Sequence, residues 1–253
     1  MTNAKNAGGI AGNLLLGNGE IKNCRNGGRV SATTAAGGLA ALVDVGGGTL
    51  TVSDCQNSGS ISGSTTVAGL IGKLAHSAKA TVTRVERSSN YGSIHADGSY
   101  AGGVIGSYSS SYYSSTREDS SAVMEQCYNL GAVDGGSYVG GLCGSFSSYY
   151  GTISSCYSTG NVSGGTSTGG LCGFFGYYTT KNGNAAVENS YAASAKLSGA
   201  AASTGLLVGE TQNGIYENCH YAALEGFKDI AKLSYALLTS LLPQSNSLLL
   251  ARL

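Results

Sequence analysis

The sequence predicts an all-β chain, a parallel β-helix or β-solenoid of about seven coils finished by a short C-terminal capping helix. Three observations carry this expectation. The composition is rich in glycine and almost free of proline, a two-part motif returns seven times, and the spacing between motifs is fixed on one side and variable on the other.

Composition removes several classes. Of 253 residues, 41 are glycine and one is proline, with 16 tyrosines and no tryptophan. Tight turns must therefore be frequent, and helix-rich folds are disfavoured. Glycine does not recur at every third position, which excludes a collagen helix. Hydrophobic residues make up 42% of the chain and return at fixed places, unlike those of a disordered segment. Net charge is zero, only 11% of residues are charged and no basic run occurs, so no nucleic-acid footprint is present. No apolar stretch is long enough for a membrane-spanning helix, and no membrane insertion is expected. The opening, MTNAKNAGG, has no apolar signal-peptide core, so an exported protein would be represented here by a mature piece.

Two motif halves alternate along the chain. The first is a glycine box: GGIAG at Gly8, GGLAA at Gly37, AGLIG at Ala68, GGVIG at Gly102, GGLCG at Gly140 and Gly169, and GLLVG at Gly205. The second places an apolar or aromatic residue three positions before Cys or Ser, as in IKNC at Cys24, VSDC at Cys55, VERS at Ser88, MEQC at Cys127, ISSC at Cys156, VENS at Ser190 and YENC at Cys219. Five copies continue as CRNGGRV, CQNSGSI, SSNYGSI, CYNLGAV and CYSTGNV. Asn or Ser two residues before Gly is turn chemistry, so a turn is expected between two short strands.

Spacing converts the motif into an architecture. The step from Cys or Ser to the apolar residue of the next box is 15 residues in four cases, Cys24 to Leu39, Cys55 to Leu70, Cys127 to Leu142 and Cys156 to Leu171, and 16 and 17 in the other two. From the box residue onward to the next Cys or Ser the count ranges from 12 (Leu207 to Cys219) to 23 (Val104 to Cys127). Stacked strands must keep their length, whereas a loop pointing outward can grow. Alternate apolar residues, such as Ile153 and Cys156 or Val162 and Leu171, are expected to point inward and stack from coil to coil. Propeller blades need longer repeats than the 29-residue copies seen here. Residues 1–225 are therefore assigned to the solenoid and 226–253 to a cap and tail. Within the tail, Ile230, Leu233, Leu237 and Leu241 share a helical face that Pro243 ends, and a cap would cover the open sheet edge.

GGLCG followed by ISSCYSTGNVSG resembles the GLUG motif repeats, over about residues 8–221. Those repeats occur in bacterial surface proteins and beside the catalytic part of immunoglobulin A metalloproteases. The resemblance implies a secreted or cell-surface, non-enzymatic module acting as a stalk or adhesin segment, continuous with further repeats or domains in a longer parent. An accessory domain of a larger secreted enzyme is the alternative, with a polysaccharide-active β-helix enzyme as a third reading. The chain itself has no HExxH, and His76, His95 and His220 stand far apart.

Candidate sites lie on the variable arcs. Three successive arcs carry tyrosine pairs, Tyr112 and Tyr113, Tyr149 and Tyr150, Tyr177 and Tyr178, preceded by Tyr108, Phe146, and Phe174 with Phe175. Stacked coils would align these as a ladder rimmed by Ser and Thr, suited to a glycan or a protein partner. The alternative role is to hold the loops onto the rod. The seven cysteines are expected as stacked, buried thiols. Zinc-type clusters are absent, so neither metal nor cofactor is expected. GTSTG at Gly165 matches GxSxG without the strand-to-helix elbow or a partnered His, and Glu118 with Asp119 is the only adjacent acidic pair, read as solvated.

Overall fold

The computed structural model describes residues 4–78, 81–110, 120–177, 185–222 and 228–233. They form a parallel β-solenoid in which every strand pairs in parallel with its counterpart one coil away. The second coil shows the plan. Ala35–Gly37 and Ala40–Val45 bracket the glycine box, Gly48–Ser53 forms a wall, Gln56–Asn57 a two-residue ladder strand, and Ile61–Gly63 closes the turn. Wall and ladder sheets each have seven strands and the closing sheet six, giving six complete coils and an incomplete seventh among the described residues. In that seventh coil the two box strands merge into Thr204–Gln212.

The interior divides into two apolar columns. Box, wall and ladder strands enclose the larger, built on Leu39, Val43, Leu50, Val52 and their counterparts; a smaller one runs through Ala36, Ile61, Val67, Ile94, Val133, Val139 and Val162. Side-chain volume in the larger column is balanced across the lumen. The position occupied by Val43 and Leu74 becomes Tyr108, Phe146 and Phe175 in later coils. The facing wall shrinks in step, from Leu50 through Thr83 and Ala122 to Gly151. A Cβ on Gly151 would lie 2.6 Å from the Phe146 ring. Large residues thus face small ones at constant interior density.

Between the columns runs an asparagine ladder. The Nδ2 of Asn26 donates to Asn57 Oδ1, Asn57 to Asn90 and Asn90 to Asn129, each at 2.7 Å. Each amide also donates to the carbonyl of the glycine two residues on, at 2.8 Å. At Asn26, Asn57 and Asn90 that glycine's N–H returns a bond to Oδ1. This explains two sequence signals. A Cβ at Gly59, Gly92, Gly131 or Gly160 would sit 2.0 Å from the carbonyl oxygen of the glycine one coil earlier. A Cβ at Gly38, Gly69 or Gly103, the second residue of each box, would sit 2.8, 2.5 and 2.5 Å from the ladder's Oδ1 atoms and 2.0–2.2 Å from a backbone carbonyl of the next coil. The box is glycine-rich because backbone carbonyls close on it, with the ladder leaning on its second position.

In every coil one corner residue takes the left-handed conformation: Asn23, Asp54, Arg87, Gln126, Ser155, Asn189 and Asn218, with φ from 45° to 57°; Ser167 and Asn213 share it elsewhere. Each corner residue immediately precedes the motif Cys or Ser and turns the chain from wall to ladder sheet. Asn and Asp adopt this region most cheaply, and four of the seven are Asn or Asp.

The tail corrects one expectation. Lys228–Leu233, the start of the expected capping helix over 226–242, is a strand lying parallel to Thr204–Gln212, with Val208 opposite Ile230 and Thr211 opposite Leu233. A final coil presents a row of unpaired N–H and C=O groups that an added strand satisfies directly, whereas a helix, whose backbone bonds are internal, would leave that row unpaired. Residues 234–253, including Leu237, Leu241 and Pro243, lie outside the described residues.

Replacing Asn90 with Ala strands the amide of Asn57, the Oδ1 of Asn129 and both polar groups of Gly92 in a dry interior. We expect Asn90→Ala to cost about 2–4 kcal/mol in urea denaturation, and Asn26→Ala, at the half-exposed end, under about 1 kcal/mol. Equal losses at the two positions would show that burial of the ladder is not what makes it stabilising.

Candidate functional site

The large length changes fall at one corner of the coil, between the second box strand and the wall strand; elsewhere the coil gains one residue between Ile94 and Tyr100 and two between Ala192 and Thr204. Residues 46–47, 77–80, 111–119, 148–150 and 177–184 occupy it in successive coils. Of the sequence-predicted tyrosine pairs, Tyr149, Tyr150 and Tyr177 are described at this corner. Tyr149 and Tyr150 are half-buried and meet edge to face at 4.8 Å, and Tyr149 meets Tyr177 of the next coil at 6.1 Å. Tyr112, Tyr113 and Tyr178 lie outside the described residues, as do Glu118 and Asp119.

The preceding aromatic residues are placed differently from the expected outward ladder. Tyr108, Phe146 and Phe175 point into the lumen, stacked at 4.9 Å and 5.8 Å, and each is at most 2% exposed. Phe174 is equally buried, with Tyr138 edge-on above it. Tyr108, Phe146 and Phe175 belong to the core because they stand in register with Val43 and Leu74 on an inward column, whereas Phe174 stands in register with Ser145 and Ser107 on the neighbouring one. They hold the corner from beneath and offer nothing to a partner. Tyr177 is nearly buried as well, leaving Tyr149 and Tyr150 as the part-exposed aromatics described at this corner.

A second tyrosine array went unnoticed in the sequence. Tyr128, Tyr157 and Tyr191 occupy one outward position of the ladder sheet, with rings 4.9 and 5.0 Å apart and 2° from parallel. Tyr91 closes the array edge-on at 5.8 Å, its hydroxyl 2.5 Å from that of Tyr128. The available signal was the residue just after the motif Cys or Ser, which reads Tyr in three consecutive copies.

The motif Cys or Ser is a hydrogen-bonding device. Cys55, Cys127, Cys156 and Cys219 donate their thiols to the carbonyl two residues back, at 3.1–3.4 Å, and Ser88 and Ser190 do the same through Oγ. They also accept from the preceding coil, where the N–H groups of Cys55, Cys127 and Cys156 donate to Ser88, Cys156 and Ser190. A small side chain that both donates and accepts is what the position requires, so Cys and Ser interchange. All seven cysteines are free and six are buried. Burial pushes the thiols of Cys55 and Cys219 up to about 11 and those of Cys143, Cys156 and Cys172 further, which suppresses the reactive thiolate.

Titratable groups sit apart. His76 is fully buried, with Nε2 2.6 Å from Thr83 Oγ1 and Nδ1 2.9 Å from the Tyr108 hydroxyl. Burial pushes its pKa down to about 4, the nearby Asp44 carboxylate opposing. His95 is exposed between Asp134 at 2.8 Å and Asp97 at 3.1 Å, and its pKa is raised, chiefly by the bond to Asp134. The Ser167 of GTSTG has φ 49° and donates to Glu210 at 2.9 Å, both side chains being buried. No imidazole is near it, and it opens no route for a substrate carbonyl. Among the described residues no group of three or more His, Cys, Asp or Glu side chains is arranged to hold a metal ion, and no helix is long and apolar enough to cross a membrane.

No family model matches the chain, and no curated protein matches it. A solved structure that does is that of a candidate immunoglobulin A1 protease from Bacteroides ovatus, with a TM-score of 0.50 and 19% identity over 85% of this chain. This chain spans 66% of that protein's length. At that identity the likeness is one of fold.

Two measurements check these assignments. Because the motif position needs a small donor and acceptor, Cys156→Ser should stay within about 1 kcal/mol of the parent, whereas Cys156→Ala, which orphans the Cys127 N–H, should lose about 1–3 kcal/mol. A loss for Ser as large as for Ala would assign the thiol a packing role instead. His76 is neutral when folded, with its pKa below the unfolded value near 6.5, so its contribution is complete above that pH. It should fade as pH falls from 6.5 towards 4, by up to about 3 kcal/mol, as the unfolded chain takes up the proton. His76→Gln should flatten that limb of the stability–pH curve; an unchanged slope would assign the acid sensitivity to other groups.

Proposed function

We propose that the chain is a non-enzymatic, extracellular β-solenoid module, a rigid stalk or adhesin segment whose contacts are made at the variable corner. The observation that carries this reading is the concentration of the long insertions at one corner while the rest of each coil varies by no more than two residues. A scaffold whose sheets keep their register, and whose one corner differs widely from coil to coil, holds out variable segments along one edge of a rod. Tyrosine there supplies broad contact area for little loss of side-chain freedom. A host or dietary glycan, or a host protein, is the partner class that fits such a surface.

The GLUG-like motif supports placement at the cell surface. The solenoid likeness to the candidate immunoglobulin A1 protease supports a second reading, an accessory β-helical domain of a larger secreted enzyme. Against catalysis within this chain stand the burial of Ser167 with Glu210 and the separation of His76 from His95.

The test compares the chain with a variant carrying Ser at Tyr112, Tyr113, Tyr149, Tyr150, Tyr177 and Tyr178, on a glycan array and against immobilised host-surface proteins, with circular dichroism reporting folding. Binding weakened at least about tenfold in the folded variant, about 1.4 kcal/mol, is the expected result. Full binding by that variant would remove the corner as the contact surface, and no binding by either protein would leave a spacer.

A further inference from the structure

We infer that the outward tyrosine array of the ladder sheet is a self-association surface, through which two copies of this chain lie side by side as antiparallel rods. The surface is Tyr91, Tyr128, Leu130, Tyr157 and Tyr191. It is separate from the variable corner and independent of the function proposed for it.

Exposure singles it out. Among the described residues five large hydrophobics are exposed, and three of them, Tyr91, Leu130 and Tyr191, lie on this one face. The other two, Ile10 and Leu15, are in the first coil. The strip carries no formal charge along its length, and Thr159 and Ala193 continue it without adding any. A neutral, tyrosine-rich strip with charges kept away from its centre has the composition of an interface core.

Ring geometry selects the occupant. Parallel rings whose centroids are only 4.9 and 5.0 Å apart must overlap face to face, because rings lying side by side in one plane would collide. The faces of Tyr128 and Tyr157 are therefore used within the array, and what reaches solvent is a row of ring edges and hydroxyls, one per coil. Sugar rings stack on aromatic faces, and this array has few to give. A second copy presents the same row at the same period, so ring edges meet ring edges coil after coil, and each phenol hydroxyl, both donor and acceptor, can pair with its counterpart. A two-fold axis between Tyr128 and Tyr157 makes the contact self-complementary, and the zero charge of the strip removes the repulsion that identical surfaces usually meet.

Its size sets its strength. Four phenol edges and a leucine amount to roughly 300–500 Å² per copy, short of the ~800 Å² each partner buries in a standard stable interface. The dimer is weak and reversible, with a Kd on the order of 100 μM.

Sedimentation of the full chain across micromolar to millimolar concentration tests this. The average mass should climb from 25.3 kDa towards twice that value. Leu130→Lys, at an exposed side chain outside the stack, should weaken association at least tenfold, and Tyr128→Lys with Tyr157→Lys should abolish it. Since the double variant could fail to fold, Leu130→Lys and tyrosine-specific photo-cross-linking of the unaltered chain carry the decision, with intermolecular links expected at Tyr91, Tyr128, Tyr157 or Tyr191. A chain that stays monomeric at every concentration overturns the inference. So does a dimer indifferent to Leu130→Lys and cross-linked through other tyrosines.

Discussion

A primary amide has two protons to give and two lone pairs to fill, and in the interior of this solenoid every one of them must be accounted for. The asparagine ladder does so by directing one proton along the rod and the other back to its own turn. That solution fixes the height of each coil above the last, because a 2.7 Å bond leaves no slack for a coil that starts late. It also fixes the composition around it. The box must be glycine where the amides press against its second position, and the turn must be glycine where carbonyls stack against it. The rest of the box is glycine because neighbouring backbone leaves no room for a Cβ.

A second consequence is the separation of tasks between the two sides of the repeat. The arc from ladder to box contains the amides, the closing strand and both glycines, and its length changes little: one added residue before Tyr100 and two before Thr204 are absorbed between strands without shifting the register beyond them. The corner between box and wall carries no such ladder. Volume can be exchanged beneath it, as the succession from Leu74 to Tyr108, Phe146 and Phe175 against a receding wall shows, without moving the backbone on either side. Variation is cheap there for a physical reason, whatever partner takes advantage of it.

The fold was legible because its constraints are periodic. Box, Cys or Ser, Asn and Gly recur at set distances, and fixed spacing could only mean stacked strands. Side-chain direction at the corner was not legible. Phe146 and Tyr149 are three residues apart in a segment of variable length, and no local pattern tells which points into the lumen. Nor was the outward array, since Tyr128, Tyr157 and Tyr191 are single residues in two-residue strands, where alternation has no room to show. The tail misled in the opposite way. Ile230 and Leu233 suit a helical face, but the unpaired edge of Thr204–Gln212 decides the matter, and an edge is a property of the assembled fold that no window of sequence contains. The left-handed corner residue escaped notice because seven different contexts fill it with Asn, Asp, Arg, Gln or Ser, and its regularity lies in backbone angle alone.

The ladder does not run the length of the rod. After Asn129 it passes to Ser158 through a longer contact of 3.4 Å, and the next coil has Ala192 in its place. Beyond that point the continuous amide chain gives way to aromatic stacking, thiol contacts, backbone pairing and scattered hydrogen bonds such as Ser167 to Glu210 and Asn218 to Asn189. A rod built this way is mechanically polar. Tension applied across its ends meets successive coils of unequal resistance, and the yield point lies towards the C-terminal coils. The asparagine-rich half would remain coiled while the other extends, so the molecule under load behaves as a stiff segment in series with a softer one.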